Sequence, residues 1–243
     1  MRRTAKRLLR RIGVDVRRFR PRLAGPEGPD FPFRRARILD LHRIDLVLDV
    51  GANVGQYGRE LRLNGYESRI VSFEPVSAAF AELDRRTHGD PSWECHQLAL
   101  SDTDGVATIN VGTNTAWSSL LVVDEADFGL SFASVERVST RRLDAVADEH
   151  VHLGERVWLK VDVQGVELDV LRGAEGVLHR IDGIEIELVT WPLYAGQAAY
   201  RDVLDYLERR GFRLVAVDSG FMHATGYAPY FDAILVRPHA GMA

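Results

Sequence analysis

Two residue types are nearly missing from this sequence: there is one cysteine, Cys95, and there are two lysines, Lys6 and Lys160, among 243 residues. A single thiol excludes an intramolecular disulfide and any cysteine-based metal cluster, so a reducing, cytoplasmic setting is expected. Cys95 lies in an alternating apolar stretch and reads as a structural thiol rather than a nucleophile. No apolar run approaches the ~20 residues that would span a bilayer. The basic start is not followed by an uninterrupted apolar core, so no signal peptide is expected. Nothing matches G-x-x-x-x-G-K-[ST], which excludes a P-loop. There is no internal repeat or low-complexity tract.

Charge is unevenly spread. Residues 1–22 hold ten Lys/Arg and one acid; with −4 on the whole chain, residues 23–243 carry −13. A body this acidic argues against nucleic acid as a partner. In the basic segment Leu8, Leu9, Ile12, Val16 and Phe19 recur at roughly helical spacing. That pattern suits either peripheral contact with the anionic inner membrane surface or a solvated extension weakened by Gly13. Residues 21–32 contain four prolines and two glycines and read as a linker. The expected organisation is a basic extension and linker over 1–32 and a single α/β domain over 33–243.

Within that domain residues 33–43 are predicted helical. Strands at 46–50, 69–73, 93–100, 156–161 and 184–189 alternate with helices at 56–63, 77–87, 166–180 and 198–210. Ser77 is placed to cap the second of these helices. Segments 106–111 and 133–140 read as shorter strands flanking an insertion. The closing strands, 212–217 and 231–236, have no helix between them, so they should pair antiparallel. The pattern predicts an α/β doubly wound fold with a seven-stranded, mostly parallel sheet and an antiparallel last strand.

Ligands of such sheets lie at the carboxyl ends of the strands, and there this sequence repeatedly places polar residues: Asp49, Glu74, Ser101-Asp102, Asp162 and Glu187. The stretch Leu46-Val47-Leu48-Asp49-Val50 is a buried strand with one acid in it. Gly51 and Gly55 then suit a tight turn where backbone approaches a ligand. Glu74 follows Asp49 by 25 residues, close to the offset at which an acid meets ribose hydroxyls. A dinucleotide turn needs G-x-G-x-x-G, whereas Gly51 to Gly55 supplies only G-x-x-x-G, which disfavours an NAD-linked oxidoreductase. The surrounding acids would repel a pyrophosphate. They suit a ligand with a ribose and a cationic amino-acid end, and S-adenosylmethionine (SAM) has both.

The segments Asp49 to Gly55, Phe73-Glu74-Pro75, Ala99-Leu100-Ser101-Asp102 and Leu159 to Glu167 together resemble the FkbM family of SAM-dependent methyltransferases. Ser118-Ser119-Leu120 resembles that family's insertion. The resemblance covers about residues 45–237 and implies a Rossmann-like class I methyltransferase fold. It also implies methyl transfer to a hydroxyl, often of a sugar or natural-product scaffold. By that likeness Asp49, Gly51 and Asn53 border the methionine end of SAM, Glu74 holds the ribose and Ser101-Asp102 borders the adenine, with Ala52, Gly55 and Pro75 also expected to bind the cofactor. Gln164 departs from the pattern, since the family more often has Glu there.

The expected acceptor is a hydroxyl of a sugar in a glycolipid, polysaccharide or glycosylated natural product, lipid-linked or free, with a non-sugar natural product as the alternative. Such a hydroxyl needs a base or a metal that lowers its pKa. Asp162 is the first candidate base or metal ligand and Glu187 the second. Lys160 precedes Asp162 by two and would share its strand face, either pairing with a carboxylate or depressing the acceptor pKa. Mg²⁺ is compatible with this acidic end, although neither spacing nor resemblance fixes a metal. Glu167 serves either the site or a buried backbone group. His96, His152, His179 and His223 are scattered without metal spacing, and His223 falls in the loop between the last two strands. Trp117, Trp191, Tyr194 and Tyr227 suit either stacking on a sugar ring or packing.

Overall fold

The computed structural model describes residues 31–122, 131–191, 193–219 and 226–238. The basic segment 1–22, most of the linker and His223 lie outside these residues. Helix α1 spans Phe31–Leu41 rather than 33–43. Pro32 fits its first turn, where a missing N–H costs nothing. The helix stops because Arg43 turns left-handed at φ 51. The N–H groups of Arg43 and Ile44 then close back on Asp40 and Leu39, at 3.0 Å each. Phe31, Arg35 and Leu39 are buried, so α1 belongs to the domain and the boundary expected at residue 33 falls inside a helix.

Five elements follow: β1 (Leu46–Val50), α2 (Gln56–Leu63), β2 (Arg69–Phe73), α3 (Ser77–Thr87) and β3 (Trp93–His96). β4 (Ala99–Leu100), β5 (Gly105–Gly112) and β6 (Phe132–Arg141) form a separate three-stranded sheet. α4 (Leu143–His150), β7 (Val157–Val161), α5 (Glu167–Arg172), β8 (Ile181–Val189), α6 (Tyr200–Arg209), β9 (Arg213–Asp218) and β10 (Tyr230–Val236) complete the fold. The main sheet has seven strands in the order β3-β2-β1-β7-β8-β10-β9. All run parallel except β10, which lies antiparallel to both neighbours. This is the class I methyltransferase arrangement. Strand order reverses between β1 and β7, the point where doubly wound sheets bind ligands.

The core has two layers. Leu46, Leu48, Val50, Leu159, Val161 and Ile186 face α4, α5 and α6. Val47, Ile70, Trp158 and Ile234 face α1 and α2 across Phe31, Leu39, Tyr57 and Leu61. Val76, Ala79, Ala99, Ile109 and Val138 seat the small sheet on α3.

Three expectations need correction. The strand expected over 93–100 breaks after His96, and Ala99–Leu100 pairs with β6 instead. The helix expected over 166–180 shortens to six residues followed by turns and a 3-10 turn at Leu178–Arg180. The helix ends at Gly173, and in the turns beyond it the Asp144 carboxylate accepts the N–H groups of Gly176 (3.2 Å) and Val177 (3.1 Å). Ser77 is the first helical residue of α3, and Val76 occupies the cap without a side-chain bond.

Candidate active site

The turn after β1 is built for backbone contact. Gly51 adopts φ 77, and a Cβ there would stand 1.8 Å from the Asp162 carbonyl oxygen, so the β1 and β7 turns touch only because this residue is glycine. Gly55, at φ 80, lets the chain enter α2. The N–H groups of Gly51 and Ala52 donate to Phe73 O at 3.0 and 3.1 Å. Asn53 is left-handed, and its N–H donates to Glu74 Oε2 at 2.8 Å. Glu74 Oε1 accepts the Val76 N–H at 2.8 Å. Burial pushes the Glu74 carboxyl up to about 7, against the pull of these two donors. Gly51, Asn53, Glu74 and Pro75 form one wall of a cavity that Leu98 to Leu100 and Ile109 close from the side of the small sheet. Thr115, in a 3-10 turn of the insertion, caps it by donating to Asn53 Oδ1 at 2.9 Å.

Two of the sequence-predicted groups stand away from this cavity. Asp49 lies a layer beneath it, fully buried, with Oδ2 accepting from Ser72 Oγ at 3.1 Å and Oδ1 unpartnered. Burial raises its carboxyl to about 6, with Lys160 opposing. Ser101 and Asp102 are carried off by the break after β3; the Ser101 carbonyl packs against Gly173. Leu98, Ala99 and Leu100 line the cavity in their place.

Across the turn, Asp162, Lys160 and Glu187 do come together. Lys160 Nζ meets Asp162 Oδ2 at 2.7 Å. The Gln164 amide donates to Asp162 Oδ1 at 2.8 Å and to Glu187 Oε2 at 2.6 Å. Tyr194 OH donates to Gln164 Oε1 at 3.2 Å. Burial works against the charged form of Lys160, but Asp162 and Asp49 outweigh it and hold its pKa above the ordinary lysine value. Burial, reinforced by Asp162, drives the Glu187 carboxyl well above its usual range. Asp232, opposite Glu187 in the β10–β8 register, is raised by burial and by Glu185 to about 7. Behind them Glu185 is bound by Arg35 Nε at 2.7 Å and by Tyr57 OH at 2.8 Å. Asp162 Oδ2 thus carries an ammonium and Oδ1 an amide donor, each oxygen keeping one lone pair, and the positive charge of Lys160 on this carboxylate does not fit Mg²⁺ beside it.

Lys160, Glu187, Asp232 and Tyr57 line a second cleft, and Gly51, Gln56 and Asp162 line both it and the first cavity. The two spaces therefore share a wall. Glu167 is buried, and its Oε1 accepts the Gly165 N–H at 2.9 Å, which is the structural one of its two expected uses. Tyr194 is 1% exposed and packs, whereas Trp117, Trp191 and Tyr227 remain exposed.

Sequence reasoning passed over Asp232, Tyr57 and Thr115. Asp232 carried the same signal as Asp49, an acid inside an apolar strand. Tyr57 and Thr115 had none, because only the packing of α2 and of the insertion brings them to the site.

Residues 49–214 match the model of a family described as Methyltransferase FkbM domain. The chain is 26% identical over 188 residues to Methyltransferase 1 of Beauveria bassiana, across 71% of this chain and 73% of that protein. It is 28% identical over 182 residues to 2-O-methyltransferase NoeI of Sinorhizobium fredii, across 70% of this chain and 73% of that protein. A solved structure of magnesium protoporphyrin IX methyltransferase (ChlM) from Synechocystis with bound SAM is similar at a TM-score of 0.48 and 11% identity, over 85% of this chain and 76% of that one.

Proposed function

The chain belongs to the FkbM methyltransferase family, and we propose that it methylates a hydroxyl, that of a sugar in a glycolipid, polysaccharide or glycosylated natural product, using SAM. The observation that carries this reading is the shared wall of the two spaces at Gly51, Gln56 and Asp162. Methyl transfer needs donor and acceptor on either side of one point, held in line. The name of the Sinorhizobium relative, a 2-O-methyltransferase, supports oxygen as the acceptor.

The residues fit the cofactor. Each Glu74 oxygen accepts one backbone N–H and retains a lone pair, so the pair can receive two vicinal hydroxyls of a ribose. The glycine turn removes the side chain that would block close approach at Gly51. The acids around the turn suit a cationic ligand end. SAM supplies an electrophilic methyl group on a sulfonium. The chain's own contribution is positional and electrostatic. Glu187, whose carboxyl burial raises well above its usual range, is the group matched to take the proton of an attacking hydroxyl. Asp162 accepts a hydrogen bond from that hydroxyl, and Lys160 holds Asp162 in place. Gln164 ties the two carboxylates into one unit.

Among the described residues no helix is long and apolar enough to cross a membrane. Contact with a lipid-linked acceptor would come through the basic residues 1–22.

The test is incubation with methyl-labelled SAM and a panel of small glycosides and extracted glycolipids, followed by mass spectrometry of the products. An O-methyl sugar is expected, and Glu187→Gln should slow its formation more than it weakens SAM binding. Label found only on nitrogen or carbon would refute the acceptor class. Titration that detects NAD binding but no SAM binding would refute the cofactor.

A further inference from the structure

The β3 edge of the main sheet carries a second group of potential ligands. Glu94 and His96 are two apart on β3, so both side chains leave the edge strand on one face. His150, the last residue of α4, comes up against them from the helix layer and is 5% exposed. One ligand atom from each of the three lies within 4.8 Å of the others. The His96 and His150 rings are 4.6 Å apart and tilted by 55°. Phe73 orients both, stacked on His96 at 5.6 Å and edge-on to His150 at 5.5 Å.

We infer that Glu94, His96 and His150 form a site for a divalent transition-metal ion, with Zn²⁺ the best match. Two imidazoles and a carboxylate are a donor set that suits Zn²⁺, whereas Mg²⁺ and Ca²⁺ prefer oxygen ligands. His96 Nε2 stands 2.8 Å from Glu94 Oε1, yet it is buried with no hydrogen-bond partner, since that contact lacks the geometry of a bond. Two ligand atoms on one tetrahedral ion stand about 3.3 Å apart. A small swing of the exposed Glu94 reaches that separation. The neighbouring cation is already engaged: Arg69 donates to Glu155 Oε1 at 2.6 Å and to the His150 carbonyl at 3.1 Å. A bound ion would pin the edge strand β3 to the end of α4, a join the sequence makes only through a long detour. The sequence pattern concealed it because His150 is 54 residues beyond His96.

The experiment uses the full chain without a histidine tag and Zn²⁺ alone as the probe, read by isothermal titration and by the thermal unfolding midpoint. One Zn²⁺ per chain is expected, with a higher midpoint when it is bound. His96→Ala and His150→Ala should each weaken binding at least about tenfold, given that loss of outer-shell partners alone costs that much. Glu94→Gln alters an exposed side chain and keeps the fold, so its loss of affinity must appear with an unchanged midpoint in the absence of Zn²⁺. His179→Ala, outside the cluster, should bind like the parent. Absence of Zn²⁺ binding, or binding undiminished in Glu94→Gln and both histidine variants, overturns the site.

Discussion

Replacing Glu74 by Gln tests the ribose assignment directly. In the free protein the Glu74 carboxylate accepts the N–H groups of Asn53 and Val76 and keeps one lone pair on each oxygen. Two ribose hydroxyls would add two charge-assisted bonds, each worth about 1.5–3 kcal/mol. Glutamine keeps one acceptor oxygen and turns an NH₂ toward a backbone N–H, so one ribose bond and the charge are lost. A loss of about 3 kcal/mol corresponds to SAM binding weakened by about 100-fold. The pH dependence supplies a second signature. Burial raises the Glu74 carboxyl to about 7, so it is largely protonated at pH 6 and ionised at pH 8. Because the hydroxyls favour the ionised form, affinity in the parent should fall by about tenfold from pH 8 to pH 6 through this group. That component should vanish in Glu74→Gln. Titration calorimetry across this range, with thermal melting to confirm folding, measures both. A variant with parental affinity at every pH would refute the assignment.

The other tests reach different parts of the structure. Gly51→Ala places a Cβ 1.8 Å from the Asp162 carbonyl in a left-handed conformation, so it should lose several kcal/mol of stability, about 3 or more, in urea unfolding; a loss below about 1 kcal/mol would show that the two turns are not in contact. Lys160→Met removes the partner of Asp162 and the charge opposing burial of Asp49 and Glu187, so kcat should fall at least about tenfold and the acidic limb of the pH–rate profile should move upward; an unmoved profile would sink the electrostatic role. Deleting residues 1–22 should weaken binding to anionic vesicles by about tenfold or more while leaving SAM affinity intact; equal vesicle binding would assign those residues elsewhere.

The first half of the domain was legible to the residue because its signals are local. β1, α2, β2 and α3 have the bounds that apolar runs and the Gly51–Gly55 turn announce. Closing strands without a helix between them had to pair antiparallel, and they do. Two of the departures involve partners distant in sequence. The N–H groups of the turns beyond α5 are satisfied by Asp144, more than thirty positions away. Pairing with β6 pulls Ala99–Leu100 out of the main sheet and takes Ser101-Asp102 with it. Helix α4 was overlooked although Leu143, Val146, Ala147 and His150 are buried at helical spacing. At the site, acids inside apolar strands were visible for Asp49 and equally so for Asp232. Gln164 stood out by type, but its grip on both Asp162 and Glu187 depends on a left-handed loop conformation at φ 56.

The cost of these acids bears on what they are for. Asp49, Glu74, Glu187 and Asp232 all titrate above the ordinary carboxyl range, and burial is the largest cause for each. An acid whose pKa is raised on folding holds its proton more tightly in the folded chain. Its contribution to stability is therefore full on the acid side of the unfolded pKa and is lost as pH rises through the folded one, about 6 for Asp49 and about 7 for Glu74 and Asp232. At neutral pH the free protein bears that loss at several positions, and near the switch point Lys160 and Arg35 are the buried cations set against it. Apolar residues of like volume would make a more stable sheet. Retaining carboxylates around one turn is useful when positive charge arrives there, because a cationic ligand restores the balance and draws the raised pKa values back down. A methyl donor with a sulfonium and an ammonium brings that charge. The same acids that weaken the domain alone thereby favour it with a cationic ligand bound, and Glu187 stands among them as part of the lining of the second cleft.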